Sequence, residues 1–117
     1  MAELIVEGKV HAMTVTIAYM KRRLRGEILR VLCLGDRARK IRLDDVTLTG
    51  VFERLQFDVN VDLVRGLLRD LEERGFVNFT VERNWAAGKS SLRQIGITPA
   101  GRDIFEKTGS SPAVEVD

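Results

Sequence analysis

One cysteine and one histidine are all that this chain of 117 residues contains of either, and those two scarcities remove several kinds of chemistry together. A single thiol, Cys33, forms no internal disulfide, which suits a reducing cytoplasm. On the edge of an apolar helical stripe it reads as a small buried hydrophobe. His11 has no Cys, His or carboxylate cluster near it in sequence, so metal-ligand spacing is missing. No phosphate-binding loop, nucleophile elbow or zinc motif occurs. Asp44 and Asp45 are adjacent, and neighbours on a helix do not converge on one point, so that pair suits capping better than catalysis. An enzyme or metal sensor is not expected, and no cofactor is implied. No apolar run approaches the length of a membrane span, and Met1–Gly8 lacks the basic flank of a signal peptide. The expected location is the cytoplasm, with no membrane partner.

With 44% hydrophobic and 31% charged residues, the chain has material for one core and one domain. The formal net charge of +2 conceals an uneven distribution. Between Met20 and Lys107 there are 18 Lys/Arg against 13 Asp/Glu, whereas the two ends together carry Lys9 against Glu3, Glu7, Glu115 and Asp117. A basic middle fits an anionic partner.

Residues 1–13 have no firm period, and Leu4-Ile5-Val6 fits a short strand or an arm laid on a partner subunit. Helical spacing starts near Thr14 or Thr16 and places Ile17, Met20, Leu24, Ile28, Val31 and Leu32 on one stripe, with Gly35-Asp36 as its end. Lys21, Arg22, Arg23 and Arg25 lie mainly off the stripe, as a solvated face. A basic connector, Arg37 to Arg42, leads to a second helix capped by Asp44, with Leu48, Val51, Phe52 and Leu55 inward. After a bend at Gln56–Val59, Asn60 caps a third helix buried through Val61, Val64, Leu67, Leu68 and Leu71, with Asp62 near its positive end. Gly75 supplies the left-handed stop. Alternation over Phe76–Glu82 predicts a strand. Arg83–Ser91 then forms a hairpin tip, and Leu92, Ile95 and Ile97 form a returning strand with an irregularity near Gly96. Thr98-Pro99 opens a last short helix, and residues 108–117 read as a loose tail.

This order of elements (helix, helix, turn, helix, hairpin, short helix) is that of a winged helix-turn-helix. Leu55–Phe76, LQFDVNVDLVRGLLRDLEERGF, resembles the second-helix end, turn and reading helix of bacterial and archaeal winged-helix regulators, whose reading helices commonly close on an LxxLEERGF-like run. Ile97–Glu106, ITPAGRDIFE, is similar to the strand-into-helix segment after the wing in MarR- and PadR-type regulators. The resemblance covers roughly Met20–Lys107. It implies an α+β, mainly helical fold with a three-helix core, a β-hairpin wing and a short C-terminal helix over residues 14–107. The function it implies is that of a prokaryotic transcriptional regulator of the MarR, PadR or ArsR kind.

The residues bear on that reading directly. A helix fits the major groove of double-stranded DNA, and its early solvent-facing residues reach base edges. Here these are Asp62, Leu63, Arg65, Gly66 and Arg69, beginning after Asn60. Arg65 and Arg69 share a face and each can fork onto a guanine; the competing reading pairs them with Asp62, Asp70 or Glu73. Arg83, Lys89, Ser90 and Arg93 on the wing suit phosphates or the minor groove, against an ordinary solvated turn. Trp85, at the tip, suits packing on its own wing or a partner subunit better than contact with nucleic acid. Arg39, Lys40 and Arg42 lie before the second helix, whose N-terminus also attracts phosphate, although a solvated loop has the same composition. Leu4–Val6, Val10, Met13, Val15 and Tyr19 exceed what one core needs, so a homodimer through the N-terminal segment and first helix is expected. The acids on the third helix leave a second reading, a winged-helix module that docks on protein and binds no DNA.

Overall fold

A computed structural model describes the backbone of residues 2–39, 42–84, 89–107 and 109–116, and the side chains of residues 17–35, 42–83, 90–107 and 109–116. Within them the fold is mixed α+β and mainly helical. Its order is α1 (Ala2–Arg39), α2 (Asp45–Arg54), α3 (Val61–Glu73), β1 (Val77–Asn84), β2 (Lys89–Ile97) and α4 (Pro99–Phe105). Local signals in the sequence explain most of these limits. Asp44 accepts from the Thr47 amide at 2.7 Å and Asn60 from the Leu63 amide at 2.8 Å. Thr98 accepts from Gly101, with Pro99 as the first residue of α4. Each cap satisfies an amide that the first turn of a helix leaves without a partner.

The C-terminal ends of α2 and α3 are closed by one device. After α3, Gly75 takes φ 79°, and the amides of Gly75 and Phe76 return to Glu72 and Leu71. After α2 the same pattern recurs with Gln56 at φ 70°, its amide returning to Glu53 and that of Phe57 to Phe52. The Phe57 ring then stands edge-on to Phe52, with centroids 5.8 Å apart, the apolar contact that often accompanies this closure. Leu55, expected on the buried face, sits at the cap and is exposed; Phe57 packs against the core near that end instead.

The expected irregularity in the returning strand lies at Gln94. Asn78 faces Gly96 and Thr80 faces Arg93, so Phe79 alone spans Gln94 and Ile95. Gln94, at φ 56°, is the extra residue of a β-bulge. Leu92 and Ile95 are three apart and would point to opposite faces of a regular strand. The inserted residue returns both to the core, where Ile97 joins them. The outer edge of β2 is also used, since the Ile95 amide donates to the Leu43 carbonyl at 3.0 Å.

A single apolar cluster holds these elements together: Leu24, Ile28, Leu29, Leu32 and Cys33 of α1 meet Leu48 and Phe52 of α2, Val64, Leu67, Leu68 and Leu71 of α3, and the inward residues of the hairpin and α4. Cys33 is fully buried, as its place beside the stripe predicts. No helix among the described residues is long and apolar enough to cross a membrane.

Three expectations are corrected. First, α1 starts at Ala2, well before Thr14 or Thr16; a period of 3.6 marks a helix packed on a core, and the sequence of residues 1–13 carries no such period. Second, Gly35-Asp36 does not end α1, which runs on to Arg39. One interior glycine costs only about 1 kcal/mol, and the preceding turn is anchored by Leu32 and Cys33. Third, the C-terminal segment is docked. Ala113 and Val114 are buried, the Glu115 amide donates to the Arg22 carbonyl at 3.1 Å, and Arg22 pairs with the Glu115 carboxylate at 2.8 Å. Arg25 donates to the Ala113 carbonyl and to Asp70, so Arg22 and Arg25 belong to this contact, not to a solvated face. Gly26 permits the approach, because a Cβ there would overlap the Glu115 carbonyl.

Gly26→Ala is therefore expected to cost about 1–3 kcal/mol and to remove hydrogen-exchange protection from the Glu115 amide. Gly35→Ala, where a Cβ meets nothing within 4 Å, is expected to stabilise by about 0.5–1 kcal/mol. Urea unfolding with exchange measured by NMR reads both; equal behaviour of the two variants would remove the docked tail from the account.

Candidate nucleic-acid interface

The first half of α3 and the strand β2 enclose an open depression of about 630 Å³, lined by Val61, Asp62, Arg65, Gly66, Arg69 and Ser90. Local sequence explains the lining. Val64, Leu67, Leu68 and Leu71 turn one face of α3 into the core, so residues 62, 66 and 69 are left on the other. Gly66 is exposed, and a Cβ there would meet nothing within 4 Å. Its lack of a side chain leaves the α3 backbone approachable from this side.

Arg65 and Arg69 behave differently. Arg69 is exposed and has no ion-pair or hydrogen-bond partner among the described residues. Arg65 bends inward with its side chain 22% exposed, and its Nε donates to Asp45 Oδ2 at 2.6 Å. Its Nη1 is 3.6 Å from Asp62, whose side chain is 89% exposed, so that second contact is weak and screened. Asp70 is engaged from the opposite side by Arg25, at 2.9 Å. Of the acids that compete for the two arginines, only Asp62 reaches either of them.

Asp45 is the residue that reading the sequence missed. By its sequence it pairs with Asp44 as a capping acid, and Asp44 does cap α2, but Asp45 is fully buried. Its carboxylate accepts from Arg65, from the Leu92 amide at 3.0 Å and from its own neighbour Val46 at 2.7 Å. A signal for this was present: positions 45, 48, 49 and 52 are the buried set of α2, and an acid at that spacing needs a partner inside. Burial by itself pushes the Asp45 carboxyl up. The Arg65 hydrogen bond, the Leu92 amide, the Arg65 charge and the Val46 amide outweigh it, and the group lies below the ordinary aspartate range.

The other predicted contacts are spread along the hairpin and beside it. Arg83 is exposed near the end of β1, and Ser90 is half-buried at the depression. Arg93 is exposed and pairs across the hairpin with Glu82 at 2.8 Å. Arg42 donates to Asn78 at 3.2 Å, and its guanidinium lies where a Cβ on Gly96 would sit. The Asn60 side-chain Oδ1 accepts from the Leu63 amide in the α3 cap. The side chains of Lys89 and Arg39, and all of Lys40 and Trp85, lie outside the described residues. Among the described residues, no group of three His, Cys, Asp or Glu side chains has the arrangement of a metal site. No protein-family model matches the chain, and a comparison with curated proteins finds no significant match.

Asp45→Asn keeps the shape of the side chain and removes its charge, leaving Arg65 without its ionic partner. A loss of about 3 kcal/mol at neutral pH is expected, the scale for breaking a buried pair. Because the folded-state pKa of Asp45 is lowered, its stabilisation is complete above the unfolded value of about 4 and disappears as pH falls through the folded value. Urea unfolding at pH 7 and at pH 3 should show the gap between parent and variant narrowing in acid. A gap that is constant, or that widens in acid, would contradict the charge argument.

Proposed function

We propose that the chain is a winged helix-turn-helix transcriptional regulator that binds double-stranded DNA as a homodimer. In this reading α3 enters the major groove and the β1–β2 hairpin is the wing, lying on the backbone or in the minor groove. The observation that carries it is the exposed, unpaired Arg69 on the same α3 surface as bare Gly66, across a depression from β2. Helix order, the turn between α2 and α3 and the hairpin that follows are compatible with that layout. Arg69 is the residue assigned to a base edge. Arg65 holds α3 against α2 and β2 through Asp45, leaving at most its outer nitrogens for DNA. Arg83, Arg93, Arg42 and Ser90, with Lys89, Arg39 and Lys40, are assigned to phosphates, whose neutralisation releases counterions. Such a regulator works in the cytoplasm and requires no cofactor.

The exposed Asp62 carboxylate favours the second reading, a domain that docks on a basic protein surface, because it places negative charge inside the depression. Duplex binding separates the two. Arg69→Ala is expected to weaken binding by about 5- to 150-fold, the range of one lost bidentate base contact. Affinity should also fall steeply between low and physiological salt. Fluorescence anisotropy with duplexes selected from a random pool measures both. Binding that is flat in salt and indifferent to Arg69→Ala would favour the protein-docking reading. Arg65→Ala is the wrong probe here, since it also strands the buried Asp45 charge.

A further inference from the structure

Among the described residues, burial in α1 begins at Leu24; Ile17 and Met20, on the turns before it, are 52% and 48% exposed. The helix nevertheless begins at Ala2, so its backbone continues for several turns before Ile17. Ile17 and Met20 were expected to belong to the stripe that packs inside. They continue that stripe, yet about half of each stays exposed.

The sequence of this stretch has a specific interval. Val6, Val10, Met13, Ile17, Met20 and Leu24 follow one another at steps of four, three, four, three and four. That is the heptad step, which keeps a seam facing a second helix. Taken as heptads, Val10 and Ile17 occupy a, while Val6, Met13 and Met20 occupy d. β-Branched residues at a favour two parallel strands. Gly8 falls at f, the position away from the seam. In a parallel pair each g residue faces the next e residue of the partner. Lys9 then meets Thr14 and Thr16 meets Lys21, and no like charges are opposed. Leu24 keeps the interval but is 5% exposed in its own core, so the seam ends there and two domains separate.

We infer that a second copy of this chain covers this face, the two α1 helices pairing in parallel along Val6, Val10, Met13, Ile17 and Met20. The inference deepens the homodimer of the reading above and rests on that part of it, independently of the DNA contacts. The seam spans about 21 Å. It holds only about two heptads, so the dimer dissociates on dilution and tightens when both domains engage one duplex.

Cross-linking of the full chain tests the geometry. In a parallel pair a faces a, so Ile17→Cys forms a disulfide with its own copy under mild oxidation; the fully buried Cys33 does not compete. Tyr19→Cys, at c and similarly exposed at 45%, is expected to stay monomeric. Equal cross-linking at the two positions, or none at either, would overturn the inference. So would a disulfide at Ile17→Cys that requires Met13→Cys on the partner, the mark of antiparallel pairing. In sedimentation velocity at high concentration the parent is expected to be a dimer and the Ile17→Glu/Met20→Glu variant a folded monomer by circular dichroism. A parent that is monomeric at its highest soluble concentration would also refute the seam. Loss of DNA binding with intact cross-linking would instead count against the regulator reading alone.

Discussion

The Asp45 carboxylate is the point at which three elements are tied. It stands at the first residue of α2, accepts from Arg65 of α3 and accepts from the Leu92 amide of β2. A buried charge is costly unless every lone pair has a donor, so this contact tolerates little displacement of its partners. Leu92 faces Val81 across the hairpin, and its amide looks away from β1 to Asp45. Together with the Ile95–Leu43 bond, this gives the outer edge of β2 defined partners. Edge amides left open would leave the hairpin free to rock about α3. The seating of α3 against α2 and β2 therefore rests on a polar contact as well as on the apolar packing around it.

That arrangement changes how charge on α3 is counted. By composition the helix has two arginines and four acids, which reads as negative. In space, Arg65 is paired downward with Asp45, and Asp70 is paired backward with Arg25. The charges left at the depression are Arg69 and Asp62, one of each sign and two helical turns apart. A patterned pair of this kind suits discrimination better than strong general attraction. General attraction would have to come from the hairpin and the segment before α2, where Arg83, Arg93 and Arg42 lie.

Legibility in the sequence followed the range of the interaction. Asp44, Asn60, Thr98-Pro99 and Gly75 announce themselves because a cap or a left-handed stop is completed within four residues. The bulge was half legible: the spacing of Leu92, Ile95 and Ile97 signals an inserted residue, but a glutamine at positive φ does not mark the place as glycine would. Contacts over long separations were hidden. Nothing near Gly26 in sequence shows that Glu115 will cross it, and residues 109–116 are polar enough to read as a tail. Asp45 was hidden by its neighbour, since Asp44 is an adequate cap and seemed to account for both acids. The helical stretch before Thr14 was obscured for another reason. Its apolar residues do not follow the period of 3.6 that marks a helix packed on a core, and over Val6–Met20 they keep a step of 3.5.

These contacts make α1 more than a stem. It joins α3 through the core and through Arg25 and Asp70, and it carries the C-terminal segment through Arg22, Gly26 and Arg25. Arg25 touches both, binding the Ala113 carbonyl with one nitrogen and Asp70 with the other. Loosening of the tail would therefore withdraw one restraint on the guanidinium that braces the far side of α3. If two copies join along the first half of α1, the angle at which each helix leaves the seam near Leu24 determines where the two α3 helices point. If the dimer also binds DNA as proposed, the separation of half-sites is a property of α1 and its braces, not of the residues assigned to the bases. A substitution at Arg25 or Gly26 would alter which half-site spacing is bound while leaving the preferred half-site sequence unchanged.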